Sequence, residues 1–474
     1  MRRVLFLLPL LPALAGCVGF SPDGGMDLVR TIALKQEQAK PAKVDGRESE
    51  ALAAEHTRAL LRSALTADVA VRIAFLRNKG LQAAYNDLGI SEARFVAASL
   101  PPSPAISLLD IQNNVSLDIE RRLAADVLAL VTLPARQEIA EAAWRGAKLE
   151  AAAATLKLAA DVRRQYWRAV AARAAAKYLT EARAATQTIA ELAHKLGETG
   201  ALNKLDQSRE FVFYAELSAD LAKARTQERV EKERLTRLLG LWGRDVDYVL
   251  PTSLPQLPGR ARPAAALEAT AVAGRVDIEM ARGELDRVAK AYGLVRASRY
   301  INVLELAAAE NFTVSPTIDS AGHRTTEKLR LDGIELRLEI PIFDWGEARS
   351  REAEETYMRA ANRLAEKGVN ARSEVREAYT DYRGALDVAR LYQGKVLPLR
   401  QLIQDNSLLH YNGMLADLFV LLQDARARIL SNIASIDAQR DFLLADTNLH
   451  AALNGAGMMG GDPRPTAKSA NATD

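Results

Sequence analysis

The stretch from Phe343 to Tyr411 constrains the fold most. It opens Asp344-Trp345-Gly346-Glu347-Ala348-Arg349 and then reads as one helix. At 1.5 Å per residue, its roughly 65 residues span about 100 Å, well beyond an ordinary globular helix. Its small and apolar positions are Tyr357, Ala361, Leu364, Gly368, Ala371, Val375, Ala378, Tyr382, Ala385, Ala389, Tyr392, Val396, Leu399 and Ile403, stepping by alternating four and three. That spacing is a heptad seam, which predicts a helix coiled against neighbours. The seam is rich in Ala, Gly and Tyr rather than Leu and Ile. Small knobs let helix axes approach closely, as in a packed helical wall. Pro398 lies inside the stretch and predicts a bend or one loosened turn, because it cannot donate to the helical ladder.

Composition supports long helices. Apolar residues make up 49% of the chain but aromatics only 5%, so Ala and Leu carry the apolar fraction. The net charge of +3 is too balanced to argue for nucleic acid. Five scattered histidines and one cysteine leave no His/Cys metal cluster to assemble from sequence neighbours.

That cysteine sits in an informative place. Met1-Arg2-Arg3 is a basic start, Val4 to Leu11 is an apolar core too short to span a bilayer, and Leu14-Ala15-Gly16-Cys17 follows. The segment resembles a bacterial lipobox, which makes residues 1–16 a signal peptide and Cys17 the diacylated mature N-terminus. An ordinary leader with an incidental cysteine is the alternative. Val18 rather than Asp follows, so by analogy with bacterial lipoproteins there is no inner-membrane retention signal.

Residues 17–47 read as an extended polar segment, and residues from about Glu48 to Leu100 as helix, stopped by Pro101-Pro102-Ser103-Pro104. Between Ala105 and Pro134 alternating apolar residues predict two strands, although Asp118, Arg121 and Arg122 fall in or beside the second. A second very long helix runs from Ala135 to about Leu196. Its heptad (Ile139, Ala142, Gly146, Leu149, Ala153, Leu156, Ala160) fails at Arg163. A turn at Gly197-Glu198-Thr199-Gly200 leads to a helix from about Ala201 to Leu239, closed by Gly240. Residues 251–263 carry four prolines and read as a linker.

The same order then recurs. A helix from Gly274 to about Ala297 precedes strand-like runs at Ile301–Leu306 and Leu329–Ile342, within a strand pair at about 300–342. Asn311 to Lys328 reads as a polar loop. In the last strand Leu329, Leu331, Ile334, Leu336, Leu338 and Ile340 share a face only if the register shifts near Gly333. The long opening helix, a turn at Asn412-Gly413 and a helix from about Leu415 to Leu453 complete the second half. The tail, 455–474, is predicted to be disordered. Two structural repeats, 48–250 and 264–454, offset by roughly 210 residues, are the strongest global feature.

Certain short motifs carry a family resemblance. Leu338-Glu339-Ile340-Pro341-Ile342-Phe343-Asp344-Trp345-Gly346 resembles the strand-to-helix junction of the TolC-like outer-membrane efflux proteins. Leu235-Thr236-Arg237-Leu238-Leu239-Gly240-Leu241 resembles the end of that family's first repeat. Gly200-Ala201-Leu202-Asn203-Lys204-Leu205-Asp206 and His410-Tyr411-Asn412-Gly413 resemble its two helical hairpin tips. The resemblance implies a mainly α fold with a small β part. Long antiparallel coiled helices would form an α-barrel, and four strands per protomer would enter a trimeric twelve-stranded membrane β-barrel. Aromatics at the strand ends (Tyr300, Phe312, Phe343, Trp345) are candidate interfacial anchors or plain packing residues.

The implied function is an outer-membrane export duct of a tripartite efflux system. It would be a lipid-anchored homotrimer with a long periplasmic portion, working with a periplasmic adaptor and an inner-membrane pump. Gly197, Gly200, Asn412 and Gly413 are the implied adaptor-contact tips. Asp206, Asp417, Val420, Gln423 and Asp424 are the aperture candidates, because a three-fold carboxylate ring would select cations by field alone. The sequence departs from the family where Met414 replaces the usual glycine and Val420 a frequent acidic residue. Ordinary exposed helix positions are the alternative. A pore-less, lipid-anchored periplasmic adaptor or spacer is the second reading of the whole chain. No nucleophile elbow, phosphate loop or metal spacing points to an enzyme or a cofactor. Helix-face carboxylates such as Glu352, Glu355 and Glu374 read as solvated.

Overall fold

The computed structural model describes residues 19–112, 116–200, 203–265, 267–318, 320, 324–413 and 418–457. The leader, Cys17, Met414, Asp417 and the tail beyond 457 lie outside the described residues. The helices are α1 (Met26–Glu37), α2 (Arg47–Leu60), α3 (Ala67–Arg77), α4 (Lys79–Ser99), α5 (Val127–Val131), α6 (Leu133–Glu198), α7 (Lys204–Leu239), α8 (Leu267–Gly274), α9 (Val276–Ala297), α10 (Glu347–Leu391), α11 (Leu397–Asn412) and α12 (Leu418–Asn454). The strands are β1 (Ala105–Gln112), β2 (Leu117–Asp126), β3 (Val303–Ile318) and β4 (Arg324–Glu339). By internal contacts the chain divides into two compact units, and each draws on both halves of the sequence.

Among the described residues the first unit comprises 19–25, Asp87–Lys148 and Met280–Glu366. Its centre is one antiparallel sheet in the order β1-β2-β3-β4. Two sequence expectations fail here. The apolar run after Asp126 is α5 rather than strand, because the Asp126 carboxylate accepts from the Ala129 amide at 2.8 Å and starts a helical turn. Most of Asn311–Lys328 is strand rather than loop. Thr313, Ser315 and Thr317 continue β3, and Thr317 Oγ1 lies 3.0 Å from Thr325 Oγ1 across the hairpin. Polarity marks a loop only where one face of a strand must be apolar. Nor does the register shift at Gly333. The β3–β4 ladder runs unbroken from Val303↔Glu339 to Ile318↔Arg324.

The strand-to-helix junction is tightly built. Trp345 and Gly346 both have positive φ, 50° and 70°. A Cβ on Gly346 would lie 2.3 Å from the Arg299 carbonyl, so only glycine fits. Asp344 accepts from the amides of Gly346 (2.9 Å) and Ala348 (3.3 Å), which caps α10 and holds the exposed carboxyl below the usual carboxylate range. Arg299 donates to the Trp345 carbonyl at 2.8 Å, and Arg349 to that of Ser298 at 2.7 Å.

The second unit comprises Met26–Asn86, Leu149–Glu279 and Lys367 onward. The segment read as extended contains α1, whose Met26, Val29, Ala33 and Glu37 are buried at helical spacing. The single helix expected over 48–100 is three. Thr66 accepts from the Val69 amide and starts α3. Asn78 accepts from the Leu81 amide at 2.9 Å to start α4, while its amide donates to the Leu238 carbonyl at 2.8 Å. Gly240 sits beside this bond with φ 70°. A Cβ there would lie 2.4 Å from the Arg77 carbonyl.

The seam of the long helix is buried over its middle, at Ala371, Val375, Ala378, Tyr382 and Ala389, with Leu386 rather than Ala385 fully covered. These residues pack on Phe442, Ala445, Leu449 and Ala452 of α12. Farther on, Leu399 and Ile403 are exposed. Pro398 acts as its chemistry predicts. Tyr392–Val396 forms a π-turn in which the Leu397 amide donates to the Tyr392 carbonyl, one residue wider than an α-turn. The Pro-rich linker is docked rather than free. Leu254, Leu257 and Ala261 pack on the α10–α12 core, and Tyr382 Oη accepts from the Arg262 amide at 3.1 Å.

Arg163, where the heptad fails, joins a polar cluster. It lies 2.6 Å from Glu37 and 2.9 Å from Asp68. Glu374 is not a free solvated carboxylate but lies 2.6 Å from buried Arg275, which also binds Asp277 at 2.9 Å.

Candidate functional site: hairpin tips and a two-faced sheet

The α6–α7 tip turns on Gly200, with φ 76°, whose amide donates to the Gly197 carbonyl at 3.2 Å. A Cβ on Gly197 would meet the flexible end of the Gln207 side chain at 2.8 Å, so the two legs pass close together here. Asn203 caps α7 by accepting from the Asp206 amide at 2.8 Å. The Asp206 carboxylate is engaged locally, accepting from Asn203 at 2.6 Å and pairing with Arg209 at 3.0 Å. Its field is therefore partly offset by its own helix. At the second tip Asn412 ends α11, and the Gly413 amide donates to the Leu409 carbonyl at 2.9 Å.

The described aperture candidates on α12 lie in different surroundings. Gln423 lines a cavity of about 440 Å³ between α7 and α12, with Leu205, Arg209, Glu210, Phe213 and Phe419 among its walls. Arg209 stands over the Phe419 ring at 4.9 Å and Arg426 over Phe213 at 5.6 Å. Asp424 instead accepts from Ser407 on α11. Val420 is exposed. The residue that sequence reading missed is Glu210, one turn beyond Asp206 on α7. It is 4% exposed, and burial first, then the Asp206 charge, push its carboxyl above the ordinary range. The signal available was the Asp206/Glu210 spacing of four, which stacks two carboxylates on one helix face.

The register separates the sheet into two faces. Over the rows from Val303 to Ala309 one carries Arg122, Glu305, Glu335, Arg337 and Glu339, and beyond them the same face carries Glu120 and Asp118 beside Leu109, Ile111, Leu329 and Leu331. On it Arg122 pairs with Glu305 at 2.7 Å and Glu335 at 3.1 Å, which explains an arginine that looked out of place in a strand. The other face carries Ile106, Leu123, Leu304, Leu306, Ile334, Leu336 and Leu338. Its apolar side chains are open to the surroundings, Ile106 at 81% and Ile334 at 83%. Among the described residues the outer edges of β1 and β4 have no strand partner within this chain. Among the described residues no helix is long and apolar enough to cross a membrane, and no His/Cys/Asp/Glu group could hold a metal.

No protein-family model matches the chain, and no curated protein matches it. Solved structures do. CusC, described through its transmembrane channel formation, aligns with a TM-score of 0.67 at 17% identity, over 82% of this chain and 92% of that one. The outer-membrane channel OprN aligns at 0.65 with 17% identity, over 82% and 90%. The open state of the Neisseria gonorrhoeae MtrE outer-membrane channel aligns at 0.64 with 16% identity, over 82% and 88%. Long paired helices, a four-stranded sheet and these alignments together give the chain the TolC-like outer-membrane channel fold.

Proposed function

We propose that the protein is the outer-membrane export duct of a tripartite efflux system. It conducts small molecules or ions passively from periplasm to exterior, and performs no chemistry. The observation that carries this reading is the sheet, which from Val303 to Ala309 has one charged and one exposed apolar face, and whose two outer edges have no strand partner among the described residues. An open edge in lipid leaves backbone groups unsatisfied, so such a sheet needs closure by further copies. Three copies give a twelve-stranded barrel with its charged face to the lumen. The solved structures that share the fold are described as outer-membrane or transmembrane channels, which supports a pore.

In this reading Cys17 carries the lipid, the two repeats (48–250 and 264–454) build the wall, and the tips at Gly197–Gly200 and Asn412–Gly413 meet a periplasmic adaptor coupled to an inner-membrane pump. Asp206, Asp417, Val420, Gln423 and Asp424 stand near the aperture, with Asp206 as its carboxylate at the first tip. A pore-less spacer would have no use for an exposed apolar sheet face.

Single-channel recording of the detergent-extracted protein in a planar bilayer tests the proposal. Discrete conductance steps are expected, with a cation preference that falls in Asp206→Ala. Steps indifferent to that substitution would keep the duct and remove the aperture assignment. Folded, trimeric protein that gave no steps would count against the duct.

A further inference from the structure

The cavity between α7 and α12 has no part in conduction, yet its chemistry is specific. Glu210 is among its walls. The residue is 4% exposed, and among the described residues its Oε2 has no hydrogen-bond partner. Buried polar atoms are nearly always satisfied, and a buried carboxylate is costly unless it is. This oxygen therefore calls for a donor from outside the chain. Ser208, in the same wall, does not supply one, because its hydroxyl donates to the Lys204 carbonyl at 2.8 Å.

The other charges of the cavity are already matched. Arg209 pairs with Asp206 at 3.0 Å and lies over the Phe419 ring at 4.9 Å. Arg426 pairs with Glu216 at 3.0 Å and lies over the Phe213 ring at 5.6 Å. Among the described residues neither arginine pairs with Glu210. Glu210 is thus the one charged side chain of these walls that is left unmatched. The remaining lining is apolar, from Leu205, Val212, Phe213, Phe419 and Leu422. A single carboxylate in such walls is no metal site, since hard cations need several oxygen ligands. It suits an organic cation, whose ammonium meets the carboxylate while its body meets the rings and leucines. The volume of about 440 Å³ lies within the roughly 300–1,000 Å³ of small-molecule sites.

We propose that the α7–α12 cavity binds a small hydrophobic amine in its protonated form. The ammonium donates to Glu210, and the apolar body lies against Phe213, Phe419 and Leu422. A charge-assisted hydrogen bond out of water is stronger than a neutral one, so Glu210 selects the cation over an uncharged molecule of the same shape. The walls come from one chain, so the site stands or falls separately from the duct. Because they come from two helices, an occupant ties α7 to α12 where α7 leaves the first tip.

Equilibrium dialysis of the full-length, detergent-extracted protein tests this, against a blank of detergent alone. The probes are 9-aminoacridine, a cation at neutral pH, and acridine, its largely uncharged parent compound. The protein is expected to bind 9-aminoacridine saturably and acridine more weakly. Glu210→Gln, close in shape, should weaken 9-aminoacridine roughly ten- to hundredfold, as the loss of a hydrogen bond to a charged group does, and leave acridine unchanged. On the unsubstituted protein, saturating 9-aminoacridine should slow hydrogen exchange in both walls, residues 205–213 and 419–426. Absence of saturable binding, or equal affinity for the two probes, would overturn the proposal without any variant. Slowed exchange confined to other segments would overturn the location. Unchanged affinity for 9-aminoacridine in Glu210→Gln, with α7 exchanging as in the parent, would overturn the role of the carboxylate.

Discussion

Replacing Glu37 by Gln should change how firmly α1 is held, and the change should depend on pH. The Glu37 side chain is 3% exposed and ends α1, where the helix dipole also disfavours negative charge. Burial raises its carboxyl from 4.5 to about 7, Arg163 at 2.6 Å pulls the other way, and Asp68 shares that arginine. A free carboxyl therefore ionises first as pH rises, while the docked one keeps its proton. Docking is strongest below pH 4.5, weakens as pH climbs to about 7, and is constant above that. At 1.36 kcal/mol per unit the loss is about 3 kcal/mol. Gln mimics the protonated form and lacks this dependence. His450, which burial depresses to about 4, faces the same cluster from α12 in both proteins and cancels in the comparison. Hydrogen exchange of the α1 amides, corrected for intrinsic rates, reads the opening free energy of each protein. The advantage of Glu37→Gln over the parent should grow by about 2–3 kcal/mol between pH 5 and pH 8. A difference that stays flat, or shrinks, would mean that Arg163 keeps the carboxylate ionised throughout and would refute the reasoning.

Other perturbations have clear expected outcomes. Gly346→Ala must place a Cβ 2.3 Å from a carbonyl at φ 70°, so it should cost roughly 2–4 kcal/mol and sharply lower the yield of folded protein, whereas Gly333→Ala, with open space around it, should cost less than about 0.5 kcal/mol in a thermal melt. Arg275→Ala strands Asp277 and Glu374 and should destabilise the second unit by roughly 3–5 kcal/mol in denaturant. Leu386→Ala, at a fully buried seam position, should cost roughly 2–5 kcal/mol, while the same change at exposed Leu399 should cost little.

The helical part of this fold was legible because its signal is periodic and long. Heptads over tens of residues, with glycine at the turns, leave few alternatives, and Pro398 marked its own distortion. The strands were legible only in part. Val127–Leu133 is apolar enough for either state, and the Asp126 cap decides it. Asn311–Lys328 read as loop because Asn311, Thr313, Ser315 and Thr317 give no apolar alternation, yet they continue β3. The apparent slip at Gly333 is only an exchange of apolar positions from one face of β4 to the other along an unbroken ladder. Among candidate site residues, the tip glycines could be read from turn chemistry. The Asp206/Glu210 spacing hinted at Glu210 but not at its burial, because the cavity that it lines is completed by Phe419 and Leu422 on a helix far away in sequence. The Arg275–Glu374 and Arg163–Glu37 pairs were hidden for the same reason.

The central claim is that this four-stranded sheet is closed by other copies of the chain. Hydrogen–deuterium exchange of the protein in lipid vesicles tests it most directly, comparing Ala105–Gln112 and Arg324–Glu339 with the central strands β2 and β3. Closure predicts edge strands as slow to exchange as the central pair, since every edge amide then has a partner. Edge strands that exchange rapidly beside a protected central pair would contradict it.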